Sequence, residues 1–317
     1  MKEWGAKAGS RDVGATTRSS PVTDRLTGKE LTAHGLLMPL EDDFSDILKK
    51  ARTGQGLSIR DIARTTGLLD GDITTLERGG QPHDRGEVRM LAKALGLRSA
   101  PLEQVAIDKW EPMGQPVPAW IETVHGSVSG YGVQGYILHD EGEALLIDTA
   151  YNAPAMIAWL DSHRVRLTGI CLTHGHADHA EGIQQLLARC QVPVYLASDD
   201  LDLLHWRPSE DRLTAPIDGR SIPVGGITVR CLTTPGHTPG GICYRVDASS
   251  QPVCFVGDTL FAGSIGRSNP HTLYSTHLDS VRQRVLKLPH DCILLPGHGP
   301  ATTVREELDH NPFASDH

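Results

Sequence analysis

The sequence predicts an α+β protein built in two parts, a small all-α domain followed by a layered sheet domain, and three observations carry that expectation. Apolar residues recur at helical spacing between Phe44 and Leu95, with capping residues at the breaks. Beyond about residue 119 the texture changes to short apolar runs separated by turn residues, the pattern of strands. Four of those later runs end in a loop that carries a histidine or an aspartate.

Bulk properties bound the rest. The 317 residues suffice for two domains and a sizeable core, and 39% hydrophobic with 22% charged is ordinary globular composition. A net charge of -9 argues against a protein that coats nucleic acid or anionic membrane nonspecifically, while leaving room for one local basic surface. Met1 to Ser20 lacks the apolar core of a secretory signal, and no run approaches the roughly 18 apolar residues that cross a bilayer. A soluble cytoplasmic protein without a membrane partner is expected. Five of the six cysteines, Cys171, Cys231, Cys243, Cys254 and Cys292, sit in short apolar runs and are expected as small core residues rather than bridges.

Residues 1–38 are rich in Gly, Ser, Thr and charge without periodicity, so a flexible leader is expected. Phe44, Ile47, Leu48 and Ala51 then share one helical face, ended by Gly54 and Gly56. Ser58 reads as the N-cap of Ile59 to Thr66, Gly67 supplies a tight turn, and Asp70 or Asp72 opens a helix through Ile73 and Leu76. Val88, Leu91, Ala92 and Leu95 give a further helix closed by Gly96, completing a domain over 39–98. The order Leu57-Ser58, Ile62-Ala63, Gly67-Leu68, Ile73, Leu76-Glu77-Arg78-Gly79 resembles the helix-turn-helix of the Cro and phage-repressor type. That resemblance implies DNA as a partner through residues 44–98, with Thr74 and Thr75 as the DNA-contacting residues of the recognition helix. The same helix offers no Arg, Asn or Gln at its start and carries Asp70 and Asp72, which phosphate would repel. A helical module for pairing or regulation is therefore the alternative.

Pro101, Pro112, Pro116 and Pro118 make 99–118 an expected extended linker. Tyr136-Ile137-Leu138 and Ala144 to Asp148 read as strands joined through Asp140, Glu141 and Gly142; Asn152 to His163 and Gln184 to Arg189 read as helical.

The chemistry concentrates where strands break. Thr173-His174-Gly175-His176-Ala177-Asp178-His179 follows the apolar run Thr168 to Leu172, and its imidazoles and carboxylate suit a borderline divalent ion such as zinc. Three later segments repeat the arrangement: Ile227 to Leu232 leads into Pro235-Gly236-His237-Thr238-Pro239-Gly240, Val253 to Val256 into Gly257-Asp258-Thr259, and Cys292 to Leu295 into Pro296-Gly297-His298-Gly299. If those strands are neighbours, His237, Asp258 and His298 converge on His174 to His179. The glycines around them permit close backbone approach.

The pattern HxHxDH, PGHTPG, GDTLF and PGHGP resembles the metallo-β-lactamase fold of metal-dependent hydrolases, an αββα sandwich, so that residues 119–317 form the hydrolase domain. The run Gly257 to Arg267 is most similar to the glyoxalase II branch, the hydroxyacylglutathione hydrolases. True β-lactamases usually carry another residue where His179 stands, so that activity is not expected. The resemblance implies two divalent metal ions, Zn2+ foremost with Fe or Mn as alternatives. His174, His176 and His237 would hold one, Asp178, His179 and His298 the second, and Asp258 would bridge both. Asp148 either orients a ligand histidine or caps its loop, and Arg267 either pairs with a substrate carboxylate or makes a surface ion pair. Such a metal pair would bring a shared water from a pKa of about 15.7 towards roughly 7, with Asp178 and Asp258 as the catalytic carboxylates that align it. A thiolate of pKa about 8.5 leaves without an acid, which favours a thioester over an ester or lactone.

Expected partners are thus a small thioester or related substrate, DNA through 44–98, and a second copy in a homodimer. The alternatives on the same fold are a mononuclear iron persulfide dioxygenase, a lactonase, or a transcription regulator with a metallo-hydrolase sensor domain.

Overall fold

Side chains that alternate between two faces along each central strand set the architecture. The computed structural model describes residues 38–247 and 251–315, so the expected leader lies outside the described residues except for its last position. The described residues belong to one compact unit.

Four helices come first. α1 (Phe44–Gly54) is capped by Asp43, whose carboxylate accepts from Ser45 N at 2.7 Å, and α2 (Ile59–Thr66) by Ser58, which exchanges hydrogen bonds with Asp61 in a capping box. Gly67 closes α2 with φ +80°, and α3 (Asp70–Leu76) follows. The N-cap of α3 is Leu69, with no side-chain bond, so neither Asp70 nor Asp72 caps it as expected. Both lie in its first turn, where a carboxylate still favours the helix dipole. α4 (Arg85–Leu95) starts at an Asp84 cap and ends at Gly96.

Residues 99–108 correct the linker expectation. They form α5 (Ser99–Glu103) and a π-helical turn (Gln104–Asp108), with Leu102, Val105 and Ala106 buried. Pro101 lies in the first turn of α5, where the missing N–H would have had no helical partner anyway. Arg98 N donates to Pro312 O at 2.9 Å, and Trp110 stacks on His310 at 4.9 Å, which ties this stretch to the C-terminal helix.

The first sheet runs β1 (Ile121–Val128), β2 (Tyr131–Asp140), β3 (Glu143–Ile147), β4 (Arg166–Cys171), β5 (Val194–Tyr195) and β6 (Leu213–Thr214), with α6 (Ala153–His163), α7 (Ala177–Ala180) and α8 (Ile183–Arg189) between its strands. The second contains β7 (Ser221–Val224), β8 (Ile227–Thr233), β9 (Ile242–Val246), β10 (Val253–Gly257), β11 (Ile293–Pro296) and β12 (Thr302–Thr303) in the order β12-β11-β10-β9-β8-β7, with α9 (Tyr274–Gln283) and α10 (Val304–His310). On β2 and β3, Tyr136, Leu138, Leu145 and Ile147 face the second sheet, while Ile137 and Leu146 face α6 and α8. On β10 and β11, Phe255, Ile293 and Leu295 face the first sheet, and Cys254, Val256 and Leu294 face outward to helices. Period-two alternation therefore yields four layers, helix, sheet, sheet, helix. The five cysteines expected in the core are buried.

The outer helical layer includes the N-terminal helices. Ile47, Leu48, Ala51, Leu91 and Leu102 belong to the same apolar cluster as Val281, Val285 and Phe313. Gly54 is needed there, since a Cβ would come within 2.6 Å of Cγ of the Tyr274 ring. No helix among the described residues is long and apolar enough to cross a membrane.

Candidate metal centre

Four strands, β4, β8, β10 and β11, deliver the candidate ligands to one edge, and β3 brings Asp148 beside them. Just beyond β3 stands Asp148, which adopts φ +56°, a region that aspartate tolerates, and turns its buried carboxylate towards the end of the next strand. There it accepts from Thr173 N at 2.7 Å, from Thr173 Oγ1 at 2.7 Å and from His179 Nδ1 at 2.9 Å. The Asp148 carboxylate thus holds a histidine of the cluster, and the loop it ties down is that of Thr173 rather than its own.

The tautomers follow from the hydrogen bonds. Thr173 donates its hydroxyl proton to Asp148, so its lone pair accepts from His174 Nδ1 at 3.1 Å. That leaves His174 Nε2 buried with no hydrogen-bond partner. His237 Nδ1 donates to Arg267 O at 2.7 Å and His298 Nδ1 to Gly132 O at 2.5 Å, freeing Nε2 of each. His176 presents the other nitrogen, its Nδ1 lying 3.0 Å from His237 Nε2.

Asp258 stands between the two groups. Its Oδ1 is 3.2 Å from His179 Nε2 and 3.7 Å from His298 Nε2, while Oδ2 is 3.5 Å from His237 Nε2. Despite that proximity, Oδ1 makes no hydrogen bond and is buried. Asp178 Oδ2 lies 3.4 Å from His298 Nε2 and 3.9 Å from His179 Nε2. Three overlapping sets result, His174 with His176 and His237, His174 with Asp178 and His179, and His179 with Asp258 and His298, with donor atoms within 4.8 Å of one another in each. The first set is the trio expected for one ion. The second expected group, Asp178, His179 and His298 with a bridging Asp258, is divided between the other two sets, Asp178 falling with His174 and His179, and Asp258 with His179 and His298.

Burial, reinforced by the charge of His179, holds His174 well below the usual histidine range, and burial brings His237 down to about 3. These two rings are neutral lone-pair donors. Burial opposes the charged form of His179 and His298 as well, but Asp258 outweighs it, together with Asp148 for His179 and Asp178 for His298; His298 rises to about 9 and His179 well above its ordinary value. Asp258 is depressed in turn, the surrounding imidazoles overcoming its desolvation. Orphaned buried donor atoms in a set of imidazoles and carboxylates fit divalent cations and suggest a dinuclear site.

Arg267 reaches the same region. Its carbonyl fixes His237, while its exposed guanidinium has no ion-pair or hydrogen-bond partner among the described residues, contrary to the surface ion-pair alternative. It lines a cleft of about 340 Å³ with Asp178, His237, Asp258 and His298. Thr74 and Thr75 lie elsewhere, on α3, with hydroxyls donating to Asp70 O at 2.7 Å and Gly71 O at 2.9 Å.

Sequence reasoning missed several residues that hold this site. Asp200 is fully buried; its carboxylate accepts from Gly175 N at 3.1 Å, Thr238 Oγ1 at 2.7 Å and Gly240 N at 2.8 Å, fastening the His174–His179 loop to the His237 loop. His277 bonds Thr259 O at 2.8 Å and Ser268 Oγ at 3.1 Å, bracing the segment after Asp258. Glu41 and Lys50, from the N-terminal helical region, line the metal cleft. Burial raises the Glu41 carboxyl above its ordinary range, and the charge of His298 works against that rise. No local pattern distinguished any of the four from surface or core polar residues.

The metallo-beta-lactamase superfamily model matches residues 129–298, so α1 to α5 lie outside the match. Hydroxyacylglutathione hydrolase GloC of Haemophilus influenzae is 33% identical over 192 residues, spanning 56% of this chain and 90% of that protein. Among solved structures, BLEG-1 B3 metallo-beta-lactamase superposes with a TM-score of 0.54 at 29% identity, over 61% of this chain and 98% of that one. TTHA1623, in a di-iron-bound form, gives 0.51 at 28% identity, over 60% and 99%.

Proposed function

This chain belongs to the metallo-beta-lactamase superfamily, and on that premise we propose that it hydrolyses a thioester at a centre of two divalent ions, zinc foremost. The observation that carries the reading is the pair of orphaned buried atoms, His174 Nε2 and Asp258 Oδ1, in the midst of the other donors. The 33% identity to a hydroxyacylglutathione hydrolase supports the thioester class. His174, His176 and His237 would hold one divalent ion and Asp178, His179 and His298 the other, with Asp258 available to both, and ions bound there would supply a water of pKa near 7 and positive charge for the carbonyl oxygen.

The chain's own residues do the rest. Asp148 holds His179 in the tautomer that keeps Nε2 free, and the Arg267 carbonyl does the same for His237. Asp178, with 30% of its side chain exposed, would take a proton from the attacking water. The water oxygen joins the acyl carbon, the carbon–sulfur bond breaks, and its electron pair leaves on sulfur as a thiolate of pKa about 8.5. The buried hydroxyls of Tyr136 and Tyr244 donate to Pro296 O at 2.6 Å and Leu172 O at 2.9 Å, so neither serves as an acid for a poorer leaving group. Tyr131 alone among the described tyrosines lines the cleft.

Metal analysis of the purified protein, joined to a panel of thioester, lactone and β-lactam substrates and an oxygen-uptake assay with a glutathione persulfide, tests this. Thioester turnover that tracks bound metal is expected. Lactone or β-lactam turnover in its place, or oxygen uptake, overturns it. An iron-loaded sample beside the zinc-loaded one decides the metal.

The N-terminal helices resemble a helix-turn-helix, and DNA contact through 44–98 has its own test in an anisotropy titration with the gene's upstream DNA at low salt. What favours a role in building the cleft is the reach of Glu41 and Lys50 into it, while the exposed acidic start of α3, with Thr74 and Thr75 donating to carbonyls of their own helix, weighs against DNA contact.

A further inference from the structure

The segment that enters α1, and α1 itself, bring two charged residues to the metal cleft, Glu41 and Lys50, where they meet Arg267 from the loop after β10. Lys50 is already engaged. Its ammonium pairs with Asp42, donates to Ile265 O at 2.8 Å and lies 4.9 Å over the Phe261 ring. Glu41 and Arg267 are not: neither side chain has a hydrogen-bond or ion-pair partner among the described residues, although Glu41 is half-buried.

Glu41 is also firmly placed. Its backbone lies against Gly299, where a Cβ would stand 3.1 Å from Glu41 N, and the next residue, buried Asp42, accepts from Ser264 Oγ at 2.5 Å. An unpaired charge taken partly out of water is costly unless a ligand completes it. A cleft that offers one unpaired cation and one unpaired anion matches a ligand bearing both signs.

We propose that Glu41 and Arg267 read the thiol part of the substrate, Glu41 taking an ammonium and Arg267 a carboxylate, so that the N-terminal helical region selects thioesters of zwitterionic, amino-acid-type thiols. This deepens the thioesterase reading and rests on it. Arg267 suits the carboxylate because its planar fork can donate twice. Glu41 becomes a specificity residue supplied from outside the family-matched span of 129–298.

The test uses the full, metal-loaded chain and two thioesters that differ only in the ammonium, S-lactoylglutathione and its N-acetylated counterpart. Wild type is expected to favour the free ammonium by roughly fivefold to tenfold in kcat/KM, chiefly through KM. Glu41→Gln brings that ratio close to one, Glu41→Lys inverts it, and Arg267→Gln raises KM for both substrates alike. Calorimetry with the uncleaved thioethers S-methylglutathione and N-acetyl-S-methylglutathione gives the same comparison without turnover, on variants whose circular dichroism and metal content match wild type. A wild-type ratio near one, or a ratio that both Glu41 variants leave unchanged, overturns the proposal. If neither thioester is cleaved, the thioesterase reading fails, and the calorimetric ratios judge Glu41 separately: equal affinities for the two thioethers overturn it, and a preference lost in Glu41→Gln upholds it.

Discussion

His179 Nδ1 and Asp148 Oδ2 meet at 2.9 Å with both side chains buried, and that bond decides which imidazole nitrogen is left for the cluster. An asparagine at 148 keeps the shape, but its amide nitrogen cannot accept from Nδ1–H when turned that way. Asp148→Asn is therefore expected to weaken metal affinity by about 10- to 100-fold. Competition against a chromogenic chelator reads this directly, and an unaltered affinity would remove Asp148 from the supporting role.

Two buried atoms without partners cost stability that a bound cation recovers. Zinc added to chelator-stripped protein at a hundredfold excess over its Kd should add about 2.7 kcal/mol. Differential scanning calorimetry would register several degrees, and Asp258→Ala should lose most of the gain. The same melting temperature with and without metal would contradict the dinuclear site.

Glu307 gives a pH dependence from outside the candidate ligand set. Its carboxyl is fully buried, accepts from Gly263 N at 3.1 Å and Thr302 Oγ1 at 2.8 Å, and burial pushes it up to about 8. Between the unfolded carboxylate range and pH 8 the folded chain keeps a proton that the unfolded chain releases, so stability falls as pH rises. The slope from this group alone approaches about 1.4 kcal/mol per pH unit. Glu307→Gln imitates the protonated form, and its stability curve should be flatter than wild type between pH 5 and 8 by urea titration. Parallel curves would mean that the carboxyl is already ionised in the fold.

Gly54 was read from sequence only as a helix stop, but the Tyr274 ring occupies the space a side chain would need. Gly54→Leu should cost roughly 1–3 kcal/mol by overpacking. Tyr274→Ala in the same chain should recover part of it, and additive losses in the double variant would argue against the contact.

Much of this molecule was legible because its signals are local. Ser58 caps α2 and Gly67 closes it as the spacing implied, and Asn152 caps α6 by accepting from Ala155 N. The candidate ligands were legible for a related reason: each lies in the loop that follows an apolar strand, so parallel and neighbouring strands carry them to one edge. What failed was long-range. Prolines signalled a free linker, yet Leu102 and Val105 are pulled into a core shared with Val281 and Phe313, and no short window contains that partnership. Asp200, Glu41 and Lys50 act across 25 to more than 200 positions of sequence, which composition and periodicity do not encode.

The seam at Gly54 and Tyr274 has a practical corollary. A trimmed protein beginning near Trp120 would retain every histidine of the cluster and still be a damaged one, with the greasy flank of α9 and α10 laid bare to solvent and one side of the cleft missing. Stickiness in solution and loss of discrimination would then arrive together, as two symptoms of a single excision.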